Sequence, residues 1–193
     1  MTTFFEAIQN RQAYVDLSAE AVVPKERIIE VIEHAIKYVP TPFNSQSSRV
    51  WLITGERHEQ FWTHVKQLET ISEEERKQVY QYEKGYGTVL FFEDYAAISE
   101  AQRKNPKYLE YFPTWSNQSS GMLQFTVWNA LQVEGFGGNL THYEAWTTES
   151  EKGKWSIPAT WELKAQLPFG KPNGEALNKV EIDMEKQFKS FGS

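Results

Sequence analysis

Residues 117–134 read NQSSGMLQFTVWNALQVE, and no other stretch restricts the fold as strongly. Met122, Leu123, Phe125, Val127, Trp128, Ala130, Leu131 and Val133 are apolar. The run is too long for an ordinary strand and is wet on almost no side, so it predicts a buried helix. Ser116 or Asn117 is placed to cap its start, and Gly135 to take the left-handed backbone just past its end. Such a helix has to be covered on nearly every side. A chain of 193 residues is long enough for a core of its own, but has few ways to wrap this helix unaided. A large apolar interface with a second copy of the chain meets the requirement.

The remaining segments predict a single α+β domain over 1–193. PKERIIEVIEHAIKYV (24–39) aligns Ile28, Ile32, Ala35, Ile36 and Val39 on one helical face. RVWLIT (49–54) reads as a strand, and EQFWTHVKQLE and SEEERKQVYQYE as helices, the second opened by a Ser72–Glu75 capping box. GTVLFFE (87–93) is a continuous apolar run of the kind found in strands buried on both faces. AQRKNPKYLEYFPTW (101–115) is polar, aromatic and irregular, an arm or lid. ELKAQLPFG puts Leu163, Ala165, Leu167 and Phe169 on one face of a strand, and the tail from Gly170 reads as an extension over a surface.

Several functions are excluded or unsupported. The formal net charge of -6 gives a nucleic-acid partner no electrostatic support. The absence of cysteine rules out disulfides, thiol catalysis and thiolate metal sites. The four histidines form no HExxH or i,i+4 pair, so no metal site is argued, and SSG at 119–121 lies inside a helix rather than in a nucleophile elbow. The first twenty residues carry Glu6, Arg11, Asp16 and Glu20 with no long apolar run. Neither a signal peptide nor a membrane span is visible, and a cytoplasmic protein is expected.

GFGGN (135–139) resembles a phosphate-cradling loop, but it follows a helix, whereas the dinucleotide fingerprint lies between a strand and a helix. The glycines therefore point to close backbone approach to a ligand.

The order of motifs along the whole chain carries more information than any one of them. Arg11 in NRQAY comes first, then PTPFNSQSSRV after the first long helix. WSNQSSGM opens the buried helix, the glycine turn ends it, and AQLPFGKPNGE precedes the tail. This arrangement resembles the nitroreductase family, in particular its short subgroup associated with fatty-acid signalling and oxidative stress. The resemblance implies an antiparallel-rich sheet packed by helices in an intertwined homodimer that holds two FMN molecules at its interface. Arg11 corresponds to the first residue of the family's phosphate-binding motif, with Gln12 and Ala13 where the family has a second arginine and a hydroxyl. Lys179 corresponds to the basic tail residue at the phosphate, with Lys171 as the alternative. Pro40, Thr41, Pro42, Asn44 and Gln46 correspond to the loop that reaches the flavin, largely from the partner subunit. Gly137, Gly138 and Asn139 correspond to the turn running along the isoalloxazine ring, Asn139 being suited to an unusual backbone angle. The implied activity is ping-pong oxidation of NADH or NADPH with reduction of a nitroaromatic, quinone or related small-molecule acceptor. No catalytic side chain is required, because the flavin carries the chemistry. A flavin-binding regulatory or stress protein with slow turnover is the alternative.

Overall fold

The computed structural model describes residues 3–192. Thirteen elements alternate along it. They are α1 (Phe4–Asn10), β1 (Leu17–Ser18), α2 (Lys25–Tyr38), β2 (Ser48–Thr54), α3 (Glu56–Lys66), α4 (Glu73–Glu83), β3 (Gly87–Asp94), α5 (Tyr95–Lys104), α6 (Phe112–Val133), β4 (Gly137–Gly138), α7 (Glu149–Lys154), β5 (Trp161–Pro172) and α8 (Met184–Gln187). The strands form one antiparallel sheet in the order β1-β5-β3-β2, and β4 also pairs with β5. The α+β architecture matches the expectation from sequence.

The unbroken apolar run of β3 is explained by its central place. Every one of its residues is buried. Val89 and Phe91 face a core built from α2 and α6, with Ile28, Ile32, Leu123, Val127 and Leu131. Leu90 and Phe92 face the other core, with Phe61, Trp62 and Val65 of α3 and Val79 and Tyr82 of α4. Each such side chain removed from water contributes about 1.5–3 kcal/mol before entropy is counted. The expected alternation in β5 is also replaced by burial on both faces, from Ala165 to Gly170, because that strand too is interior.

Local signals hold where the chemistry is local. Ser72 and Glu75 form the expected capping box. Gly135 is left-handed at φ 96°, and Gly135 N–H and Phe136 N–H donate to the Gln132 and Leu131 carbonyls, closing α6 as a Schellman motif.

The start of α6 differs from expectation. The helix begins at Phe112, so neither Ser116 nor Asn117 caps it, and Tyr111 occupies the cap position without a side-chain bond. Phe112 is fully buried against Ile98 and Ala101, which draws the helix back by a turn, and Pro113 is tolerated in its first turn. The arm at 101–115 accordingly shrinks: its ends belong to α5 and α6, and Pro106–Tyr108 forms a 3₁₀ turn between them. The faces of α6 are also not those read from hydropathy. Ser116, Ser119, Ser120 and Gln124 are buried, whereas Met122, Phe125 and Val133 are 46%, 40% and 51% exposed. In a single chain, α6 turns small polar residues inward and leaves large apolar ones uncovered.

Candidate functional site

Arg11 is the C-cap of α1, where the chain becomes extended. From there it runs beside the glycine turn. Ala13 and Gly138 form a parallel bridge, and Tyr14 N–H donates to the Gly138 carbonyl at 3.0 Å. The tail returns to the same place, with Leu177 N–H donating to the Ala13 carbonyl at 2.8 Å. Arg11, Gln12, Ala13, Gly137, Gly138 and Asn139 therefore share one corner of the fold. Lys179 is exposed two residues beyond the tail's attachment and forms no ion pair among the described residues. Lys171 is engaged elsewhere, bound to Glu20 at 2.6 Å.

The Arg11 guanidinium lies over the Trp128 ring at 4.2 Å. It is half-buried, and among the described residues no carboxylate pairs with it. Desolvation holds its pKa below the usual arginine value, yet an arginine stays charged at any physiological pH. A partly desolvated arginine without a carboxylate partner has guanidinium donors left to offer an anion.

The loop at 40–49 forms a second site. Phe43, Asn44 and Gln46 all adopt left-handed backbone, at φ 50°, 53° and 50°. Each such residue stores about 1–3 kcal/mol of strain, so the surroundings must hold it. Thr41 Oγ1 accepts from Gln46 N–H at 3.1 Å, and Asn44 Oδ1 accepts from the Gln46 amide at 3.2 Å. Arg49 donates to the Gln46 carbonyl at 2.6 Å and pairs with Asp94 at 2.9 Å. Beneath them the Glu93 carboxylate, fully buried, accepts from Ser47 Oγ at 2.6 Å, from Ser48 Oγ at 2.5 Å and from Ser116 Oγ. This network anchors the loop to β3 and α6. A cleft of about 380 Å³ opens beside it, lined by Lys37, Thr41, Asn44, Gln46, Arg49 and Ser119 among others. Pro42 begins the 3₁₀ turn, and Pro40 lines a separate apolar groove with Ile8, Tyr38, Met122, Phe125 and Val133.

Among the described residues no hydrogen bond or ion pair joins Thr41, Asn44 or Gln46 to Arg11. The loop lies against Ser116 and Ser119 of α6, and Arg11 lies on Trp128. Ser119 and Trp128 stand nine positions apart on α6, about 13 Å along its axis.

The Nitroreductase family model matches residues 8–171. The chain belongs to the nitroreductase family. Oxidoreductase chemistry comes with that membership. The chain is 30% identical over 182 residues to the nitroreductase FRM2 of Saccharomyces cerevisiae, covering 93% of each protein. It is similar to the nitroreductase CinD of Lactococcus lactis at 32% identity and a TM-score of 0.89, covering 98% of this chain and 100% of that one. CinD structures hold chloramphenicol, nicotinic acid or 4-nitrophenol. A more distant structure from Exiguobacterium sibiricum shares the fold at 14% identity and a TM-score of 0.73, with 99% of this chain and 98% of that one covered, and is a complex with FMN. Among the described residues no helix is long and apolar enough to cross a membrane.

One expectation about the glycine turn is corrected. Asn139 does not adopt a positive φ; that angle is at Gly135. Asn139 is held in ordinary backbone by pairing to β5, its N–H donating to the Pro168 carbonyl, while its side chain donates to Tyr82 Oη at 2.6 Å. The missing side chains at 137 and 138 are required by the chain itself. A Cβ on Gly137 would sit 2.8 Å from Pro172 and Tyr14, and one on Gly138 2.9 Å from the Pro168 carbonyl.

Sequence reasoning passed over Glu93, Arg49, Trp128 and Gln132. An acid closing the apolar run LFFE was the available signal for Glu93. For Trp128 and Gln132 there was none, since their partners lie more than a hundred residues away.

Proposed function

We propose that the chain, as a single domain over 1–193, is an FMN-dependent oxidoreductase. In this reading it uses NADH or NADPH to reduce nitroaromatic, quinone or related small-molecule acceptors. The observation that carries the reading is Arg11, a half-buried cation beside the Ala13–Gly138 backbone with no counter-ion among the described residues. The phosphate of FMN, with about -1.5 to -2 charge at neutral pH, is the anion it fits. Arg11 can bind two phosphate oxygens through its planar fork, with Lys179 as a mobile second charge. Bound FMN supplies hydride and electron transfer. The polar groups of Thr41, Asn44 and Gln46 suit the edge of a heteroaromatic ring, but they lie beside an earlier stretch of α6 than Trp128. A homodimer, in which one protomer's loop faces its partner's Arg11 corner, completes the site and covers Met122, Phe125 and Val133. The 4-nitrophenol and nicotinic acid complexes of CinD support an aromatic nitro acceptor and a nicotinamide donor.

Apoprotein titrated with FMN and with riboflavin tests the assignment. Arg11→Ala is expected to weaken FMN binding by about 2–4 kcal/mol, roughly 30- to 700-fold, and Lys179→Ala by about 1–2 kcal/mol. Riboflavin, without the phosphate, should change little in either. A wild-type protein that takes up no FMN at micromolar concentration overturns the reading. Rapid bleaching of the bound flavin by NAD(P)H, with recovery on adding 4-nitrophenol or a quinone, separates an enzyme from a slow flavin-binding regulator.

A further inference from the structure

We infer that Gln132 and Trp128 are positioning residues that preorganise Arg11 as the phosphate receptor. The two lie one turn apart on α6, so their side chains share a face. Gln132 grips the backbone on both sides of Arg11: its Oε1 accepts from Gln12 N–H at 3.0 Å, and its Nε2 donates to the Asn10 carbonyl. Only one orientation of the amide satisfies both partners, which fixes the carboxamide as well as the chain. Trp128 supplies the floor under the guanidinium. Its buried indole N–H finds no acceptor among the described residues, so the ring is kept there at the cost of an unsatisfied donor. Indole is the aromatic face that holds a cation best.

The two residues that follow Arg11 add no charge of their own. Gln12 and Ala13 offer neither a second guanidinium nor a hydroxyl. Ala13 is instead stitched on both sides, to Gly138 and to Leu177. Left with one arginine, the site gains affinity by ordering it before the ligand arrives, which lowers the entropic cost of binding. Gln132 touches no ligand in this scheme and acts through Arg11.

The inference rests on Arg11 as the FMN phosphate ligand, and its test separates the two. Full-length apoprotein is titrated with FMN and riboflavin in wild type, Gln132→Met, Arg11→Ala and the double variant. Gln132→Met, similar in size and without hydrogen bonds, is expected to weaken FMN binding about 5- to 30-fold, the scale of two lost neutral hydrogen bonds. Riboflavin should stay within about twofold. In the Arg11→Ala background the same change should cost less than about twofold, because coupled residues are not additive. Equal losses in both backgrounds, equal losses for both ligands, or no loss at all overturn the positioning role. An Arg11→Ala variant that itself keeps FMN affinity overturns the underlying assignment instead. Should Gln132→Met fail to fold, Trp128→Leu is read by the same ligand pair and the same Arg11→Ala background, with the same outcomes deciding.

Discussion

Lowering the pH from about 7.5 to about 5 is expected to remove about 2 kcal/mol of folding stability through His58 alone. His58 is buried on α3, with Nδ1 2.9 Å from Thr88 Oγ1 and Nε2 3.1 Å from the Tyr82 carbonyl. A carbonyl only accepts, so Nε2 carries the proton and Nδ1 accepts. Thr88 donates its hydroxyl proton to Nδ1 and accepts from the Trp62 indole N–H at 2.8 Å. Every donor in this chain is matched to a neutral imidazole. Burial accordingly lowers the His58 pKa from 6.5 to about 4, against the weaker opposing pull of the Tyr82 and Glu83 backbone. As pH falls, the unfolded chain takes up its proton near 6.5 and the native one only near 4. Stability due to the neutral ring is therefore complete above about 6.5 and declines across that window. The loss is about 2 kcal/mol at pH 5 and about 3 kcal/mol at pH 4. Urea unfolding of wild type and His58→Gln at several pH values measures it. The variant loses stability at neutral pH but should lack this window, and the difference between the two curves removes the contribution of surface carboxylates. Parallel curves, or an NMR titration of the His58 ring with a midpoint at 6.5 or above, would refute the reasoning.

Two further expectations concern the loop anchor and the uncovered helix face. Glu93→Ala strands the Ser47, Ser48 and Ser116 hydroxyls and should cost about 3–5 kcal/mol in urea unfolding, with Glu93→Gln costing less; an unchanged midpoint would remove Glu93 as the anchor of the loop. In the proposed FMN-binding homodimer, Phe125→Glu places a charge on the exposed face of α6 and should yield a folded monomer with FMN affinity lost, seen by sedimentation and flavin titration, whereas a variant that stays dimeric would place the interface elsewhere. Charges at Val127 or Leu131 would not make this test, because both are buried in the chain's own core and their replacement would unfold it.

Much of the architecture was legible in the sequence because its causes are local. A Ser-x-x-Glu box closes on itself within one turn, a glycine past the last helical residue relieves a clash within its own backbone, and the apolar run of β3 fits a strand covered on both faces. Arg11 and the 40–46 loop could be singled out by the order of motifs. What they touch could not. Hydropathy described the composition of α6 but not which way it faces: Ser116 points inward to donate to Glu93 on β3, and the outward Phe125 and Met122 are left over by the packing of α2. Only the tertiary structure showed that Gln132 brackets Arg11 from 121 positions further along the chain, and that Asn139 is held by Tyr82 in ordinary backbone. The physical reason is the same in each case. Caps and turns are decided by torsions and hydrogen bonds within a few residues, whereas the partner of a side chain is decided by where two distant elements cross, and nothing in either local sequence encodes that crossing.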